Sequence, residues 1–193
     1  MTWLQRWSGG FQWLSAPRAD LTWFIPAAPR RHGAPAVTYS DASTSFGLGA
    51  VLLLPASREA FWFRTRTQRG EPIDRLEVEA AAVADALFGP FLAACGYVDE
   101  ISFIDNNVSA AWLTRGRGRA DVDPMVSALW LHMAVRGGFK WFERVSSASN
   151  LADRPSRGLP PECPCGWSLR EVPTVRRWGP SDADGPGRPL PWA

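Results

Sequence analysis

The sequence predicts an α/β domain over residues 36–158, a mixed β-sheet with helices on both faces. Three observations carry this. Three β-like runs follow one another from Ala36, separated only by short turns; the chain then switches to helix formers at Asp74; and from Ile101 strand-like and helix-like segments alternate. A meander followed by alternation mixes antiparallel with parallel pairings, and helices must cover the sheet that results.

The first run, Ala36 to Ser43, ends in small polar residues, and after the turn Ser43-Thr44-Ser45 the apolar run Gly47 to Leu54 pairs with it as a hairpin. Pro55-Ala56-Ser57 turns the chain into a third strand, Phe61 to Arg66. From Asp74 to about Cys95, Leu76, Val83, Leu87 and Phe91 fall broadly along one helical face, and Pro90 is expected to kink or divide the last turns. Ile101 to Asp105 is a short strand ending in a carboxylate. Asn107 to Leu113 is a short helix closed by the loop of Gly116 and Gly118. Pro124 opens a further helix with Met125, Leu129 and Met133, which Gly137-Gly138 stops, and Phe139 to Val145 is the last strand. A short segment around Asp153 follows.

The flanks read differently. Residues 1–35 place Trp3, Trp7, Trp13 and Trp23 among glycines, prolines and arginines without a sustained period, as expected of a connector from an upstream region. Residues 159–193 are rich in Pro, Gly and Arg and read as a flexible tail. With 46% hydrophobic and 21% charged residues the chain has the balance of a folded globular protein, which excludes an intrinsically disordered one. Cys95, Cys163 and Cys165 are too few for a disulfide framework, which places the chain in a reducing compartment, cytoplasm or nucleus; Cys163-Pro-Cys165 is half a zinc site with no second half. No window reaches the length of a membrane span and no signal-peptide pattern opens the chain. The basic residues are almost all arginine, Lys140 being the sole lysine, a bias that suits phosphate recognition and that a GC-rich genome also produces.

Three carboxylates sit where this order of elements would bring them together, and a fourth follows the last strand. Asp41 lies in the first strand, Glu77 in the long helix, Asp105 at the end of the fourth strand and Asp153 at the start of the final helical segment. Hydrolysis of a phosphodiester with two magnesium ions requires several hard oxygen ligands around cations about 3.5–4 Å apart. Converging carboxylates meet that requirement, although each aspartate alone is also an ordinary turn or cap residue.

Tyr39-Ser40-Asp41-Ala42-Ser43 with Gly47-Leu48-Gly49-Ala50-Val51 resembles the opening hairpin of ribonuclease H domains attached to retrotransposon reverse transcriptases, and Ile73 to Leu87 resembles their glutamate-bearing helix. Phe103-Ile104-Asp105-Asn106-Asn107, and Arg144 to Ser147 continuing through Asn150-Leu151-Ala152-Asp153-Arg154-Pro155-Ser156-Arg157, are similar to the third and fourth blocks of that family. The resemblance covers about 120 residues with all four blocks in order. It implies a ribonuclease H-like fold, with a five-stranded sheet ordered 3-2-1-4-5, and endonucleolytic hydrolysis of the RNA strand of RNA–DNA hybrids. It further implies two Mg²⁺ ions, with Mn²⁺ as a substitute, and a reverse transcriptase polymerase domain as partner in a parent retroelement polyprotein. By position it makes Asp41 and Asp105 the central metal ligands, Glu77 a ligand that also faces the substrate, and Asp153 the ligand of the second metal. Glu79 competes with Glu77, but Ile73 four residues earlier and Ala80 three later match the family pattern for Glu77. One departure stands out: some members carry a histidine before the last aspartate, and Ser146 to Leu151 has none.

Three other features have competing readings. The run Arg115-Gly-Arg117-Gly-Arg119 fits a phosphate-contacting loop and equally a solvated one. Trp62, Trp112, Trp130 and Trp141 fall within apolar segments and are expected to pack. Tyr97-Val98-Asp99-Glu100 resembles the catalytic box of reverse transcriptase polymerases but has Glu for the second Asp, and it reads as a polar turn. The functional alternatives to the nuclease are a catalytically silent nucleic-acid-binding module and a related nuclease on the same fold.

Overall fold

A computed structural model describes residues 33–67 and 70–174. Its elements are β1 (Ala36–Ala42), β2 (Gly47–Leu54), β3 (Glu59–Arg66), α1 (Ile73–Ala94), β4 (Asp99–Ile104), α2 (Asn107–Arg115), α3 (Asp123–Arg136) and β5 (Phe139–Arg144), then a 3₁₀ turn (Ser147–Ser149), α4 (Asp153–Ser156) and β6 (Ser168–Glu171). Residues 1–32, most of the expected connector, lie outside the described residues, as do residues 175–193.

The strands form one mixed sheet in the order β5-β4-β1-β2-β3-β6. The meander β1-β2-β3 is antiparallel, whereas β4 joins β1 and β5 joins β4 in parallel. The first five strands therefore take the expected order 3-2-1-4-5. The expected strand count of five is corrected to six, because Ser168–Glu171, inside the segment read as a flexible tail, pairs in parallel with β3. All four residues of β6 are exposed, so it carries no apolar alternation to betray it in the sequence. Backbone bonds hold it, among them Ser168 N–H to the Arg58 carbonyl at 3.0 Å and Val172 N–H to that of Trp62 at 2.7 Å.

Alternation along the strands separates two cores. On one face Ala36, Ala42, Leu48, Leu52, Leu54 and Phe63 pack against Leu76, Ala80, Val83, Phe88 and Leu92 of α1. The same helix turns Val78, Ala81 and Ala82 toward Leu113 of α2 and Met125, Leu129 and Met133 of α3. Each fully buried leucine here contributes about 1.5–3 kcal/mol. On the opposite face Val51, Leu53, Ala60 and Trp62 are covered by Leu151, Cys163 and Trp167, and α4 lies against β1, β2 and β3. Helices thus occupy both faces, three long ones on one and a single turn of helix on the other.

Local signals explain some of the boundaries. The Asn106 side chain accepts from Val108 N–H and Ser109 N–H and so starts α2. Gly137, at φ 62°, adopts the left-handed conformation that ends α3. Pro90 does not divide α1, which runs unbroken to Ala94. Pro90 itself is exposed, so its ring displaces no packed side chain of the core. Trp62 is buried and Trp112 and Trp130 pack on the core, but Trp141 is 55% exposed. The expected turn at Tyr97-Val98-Asp99-Glu100 is only half a turn, because β4 begins at Asp99.

Candidate metal centre

The register of the sheet brings two of the four carboxylates together. Tyr39 of β1 is paired in parallel with Phe103 of β4, and their rings stack with centroids 4.9 Å apart. Two residues further on, at Asp41 within β1 and at Asp105 just past the end of β4, side chains return to the same face. That step places Asp41 beside Asp105. Glu77 enters from the second turn of α1, where its carboxylate accepts a hydrogen bond from Ala42 N–H at 3.4 Å. One carboxylate oxygen from each of Asp41, Glu77 and Asp105 lies within 4.8 Å of the other two.

Such crowding is costly without a cation. Burial raises the Asp41 carboxyl from 3.8 to about 6; a hydrogen bond from Ser156 opposes this, while the charges of Asp105 and Asp153 add to it. Glu77 is raised further, from 4.5 to about 9, by burial first and then by the charges of Asp41 and Asp105. Its second oxygen, Oε2, is buried without any hydrogen-bond partner. A buried acceptor left unpaired costs roughly 1–3 kcal/mol. Hard carboxylate oxygens, an unpaired buried acceptor and excess negative charge together fit a divalent oxygen-seeking cation such as Mg²⁺ or Mn²⁺.

Asp153 opens α4 and stands outside this set of three, near enough to repel Asp41 but paired with Arg157 at 2.7 Å. Two residues that sequence reasoning left without a role position it. Asn150, buried, donates from Nδ2 to the Ser40 carbonyl at 3.1 Å and accepts from Ala152 N–H at 3.1 Å, tying the chain before α4 to β1. Gly49, paired with Asp41 across the hairpin, leaves the space that α4 fills, since a Cβ there would sit 2.3 Å from the Ser156 nitrogen. The quoted blocks contain both residues, but their service becomes visible only when distant segments touch. Glu79 points away from the set of three and lies 3.6 Å from Arg75. Of the arginines in the loop after α2, Arg119 is held by Asp121 and Asp74 and stacks over Trp112.

No family model and no curated protein matches the sequence. Among solved structures the chain is similar to the N-terminal RNase H domain of Rv2228c from Mycobacterium tuberculosis, solved as a fusion with maltose-binding protein, with a TM-score of 0.52 and 15% identity over 65% of this chain and 98% of that one. It is also similar to RNase H1 from the halophilic archaeon Halobacterium salinarum, with a TM-score of 0.42 and 17% identity over 62% of this chain and 91% of that one, a superposition too loose to carry an argument. The fold is ribonuclease H-like. At 15% identity the likeness speaks to fold alone.

Proposed function

We propose that the chain is a metal-dependent endonuclease that hydrolyses the RNA strand of RNA–DNA hybrids. The observation that carries this reading is the convergence of Asp41, Glu77 and Asp105, three carboxylates from separate elements meeting within 4.8 Å. In the proposed centre Asp41 and Asp105 hold the cations centrally, Glu77 binds and faces the substrate, and Asp153 completes the second position. Bound there, divalent cations would activate a water and stabilise the leaving oxygen of the phosphodiester. The protein's own part is to keep Asp41 and Asp105 ready at the ends of β1 and β4, to bury Glu77 of α1 beside them, and to anchor Asp153 of α4 through Asn150. The order of the four sequence blocks further supports descent from a retroelement polyprotein with an adjoining polymerase domain.

A labelled hybrid incubated with the full chain and Mg²⁺ tests the reading. Cleavage of the RNA strand that disappears in Asp41→Asn is the expected result, and cleavage unaffected by that substitution excludes the centre. The pairing of Asp153 with Arg157 favours a second reading, a silent hybrid-binding module. That module would bind hybrid with a steep salt dependence and cut it in neither Mg²⁺ nor Mn²⁺.

A further inference from the structure

Arg157 lies at the C-terminal end of α4, four residues beyond Asp153. Its Nε and Nη2 donate to the same oxygen, Oδ1 of Asp153, at 3.1 and 2.7 Å. The guanidinium is also close enough to Asp41 to offset part of the repulsion there, although its side chain is 62% exposed. The four carboxylates are therefore unequally served: three crowd one another, and the fourth holds a resident cation. An arginine keeps its proton at any pH the protein meets, so this charge cannot be titrated away. A divalent cation approaching Asp153 meets a carboxylate with Oδ1 already engaged and a guanidinium that repels it.

We infer that Arg157 competes with a divalent cation for Asp153, holding that carboxylate in the metal-free protein and releasing it when cation and substrate phosphate arrive together. The inference rests on the reading of Asp153 as ligand to the second cation. The exchange requires no rearrangement of the fold. Arg157 already lies past the last helical residue, its side chain is mostly in solvent, and phosphate offers a guanidinium a fork-shaped partner as good as the carboxylate it leaves. Arg157 is thus a positioning residue acting through Asp153, and it keeps the second cation weakly bound until substrate is present.

Mn²⁺ titration of the full chain without nucleic acid, with free Mn²⁺ followed by electron paramagnetic resonance, tests this on the wild type, Arg157→Ala, Arg157→Lys and Asp153→Asn. The wild type should show a tighter and a weaker class of site, and Asp153→Asn should lose the weaker. Arg157→Ala should tighten that weaker class about two- to fivefold, the scale of an exposed ion pair, and Arg157→Lys should restore wild-type binding. A purely structural ion pair would do the opposite and loosen it. A weaker class that is unchanged or weakened in Arg157→Ala overturns the inference. If the wild type binds two Mn²⁺ and Asp153→Asn loses neither, the inference falls while the nuclease reading survives on the other three carboxylates. A wild type that takes up no Mn²⁺ brings down the nuclease reading and the inference with it.

Discussion

Helix α1 contributes a carboxylate to each of two buried charge clusters, and the two clusters solve opposite problems. Glu77 joins Asp41 and Asp105, where like charges crowd and the first two carboxyls are pushed upward. Eight residues on, about 12 Å along the helix, Asp85 is buried beside Lys140 at 2.9 Å and Arg136 at 2.8 Å. Lys140 also lies 2.9 Å from Glu100, which accepts from the Thr38 hydroxyl at 2.7 Å, and His132 approaches Asp85 at 3.3 Å. Burial acts to raise the Asp85 carboxyl, yet Lys140, His132 and Arg136 together hold it well below the usual carboxylate range. Burial likewise opposes the charge on Lys140, but Asp85 and Glu100 outweigh it and raise the ammonium. The charges of one cluster are balanced from within the chain, although Asp85 Oδ2, Glu100 Oε2 and Arg136 Nε lack hydrogen-bond partners; those of the other are left unbalanced, as at a site for an outside cation.

The comparison can be broken most severely at Asp41. Asp41→Asn should lower Mg²⁺-dependent hybrid cleavage by about a thousandfold or more, because charge stabilisation by bound cations is worth several kcal/mol. The same substitution should raise the melting temperature of the metal-free protein by relieving repulsion. A drop in both activity and melting temperature would mean that Asp41 is structural.

Lys140→Met attacks the balanced cluster and should destabilise the fold by about 3–5 kcal/mol, since it strands Asp85 and Glu100 without their ammonium. Urea unfolding measures this. A loss within about 0.5 kcal/mol, the usual surface value, would show that water or Arg136 already serves both carboxylates.

The clusters should also answer pH with opposite signs. Asp41 and Glu77 bind protons more tightly folded than unfolded, so their contribution is full below about 4 and is lost as pH rises through 6 and then 9. Asp85 is depressed, so its contribution is present above the unfolded carboxylate range and is lost only in strong acid. Metal-free protein in EDTA should therefore melt lower near pH 9 than near pH 5, by about 5 °C or more. Mg²⁺ should flatten that slope, and a slope that Mg²⁺ leaves untouched would remove the carboxylates as its source.

The smallest expected effect is at Asn150. Asn150→Ala removes two buried hydrogen bonds and should cost about 1–3 kcal/mol. Mn²⁺ affinity should fall at the weaker site alone if Asn150 acts by placing Asp153. An equal loss at both sites would point to general loosening.

The sequence made one of these clusters legible and hid the other. Asp41, Glu77, Asp105 and Asp153 could be chosen because the four blocks around them resemble those of a known family in the same order, and the strand order which that resemblance implies brings the strand of Asp41 beside that of Asp105. The balanced network has no such address. Asp85 sits on a helix like any solvated carboxylate, Glu100 fell in a segment read as a turn, and Lys140 occupies a strand with no local partner. Their pairing depends on how α1 and α3 cross the sheet, which single-chain periodicity does not encode. The ends of α2 and α3 were readable from Gly116 and Gly137, which act within a few residues. β6 was not, since its pairing is carried by backbone groups that every sequence shares.

That last strand has a practical side. β6 closes the β3 border of the sheet with backbone bonds, so a chain trimmed after Gly158 would bare the peptide groups of Ala60 through Trp62. An unpaired border of this kind recruits another copy of itself. Laboratory fragments should run through Thr174, whose hydroxyl donates to the Arg64 carbonyl at 3.0 Å and fastens the end of that cover. Shorter ones should self-associate on concentration.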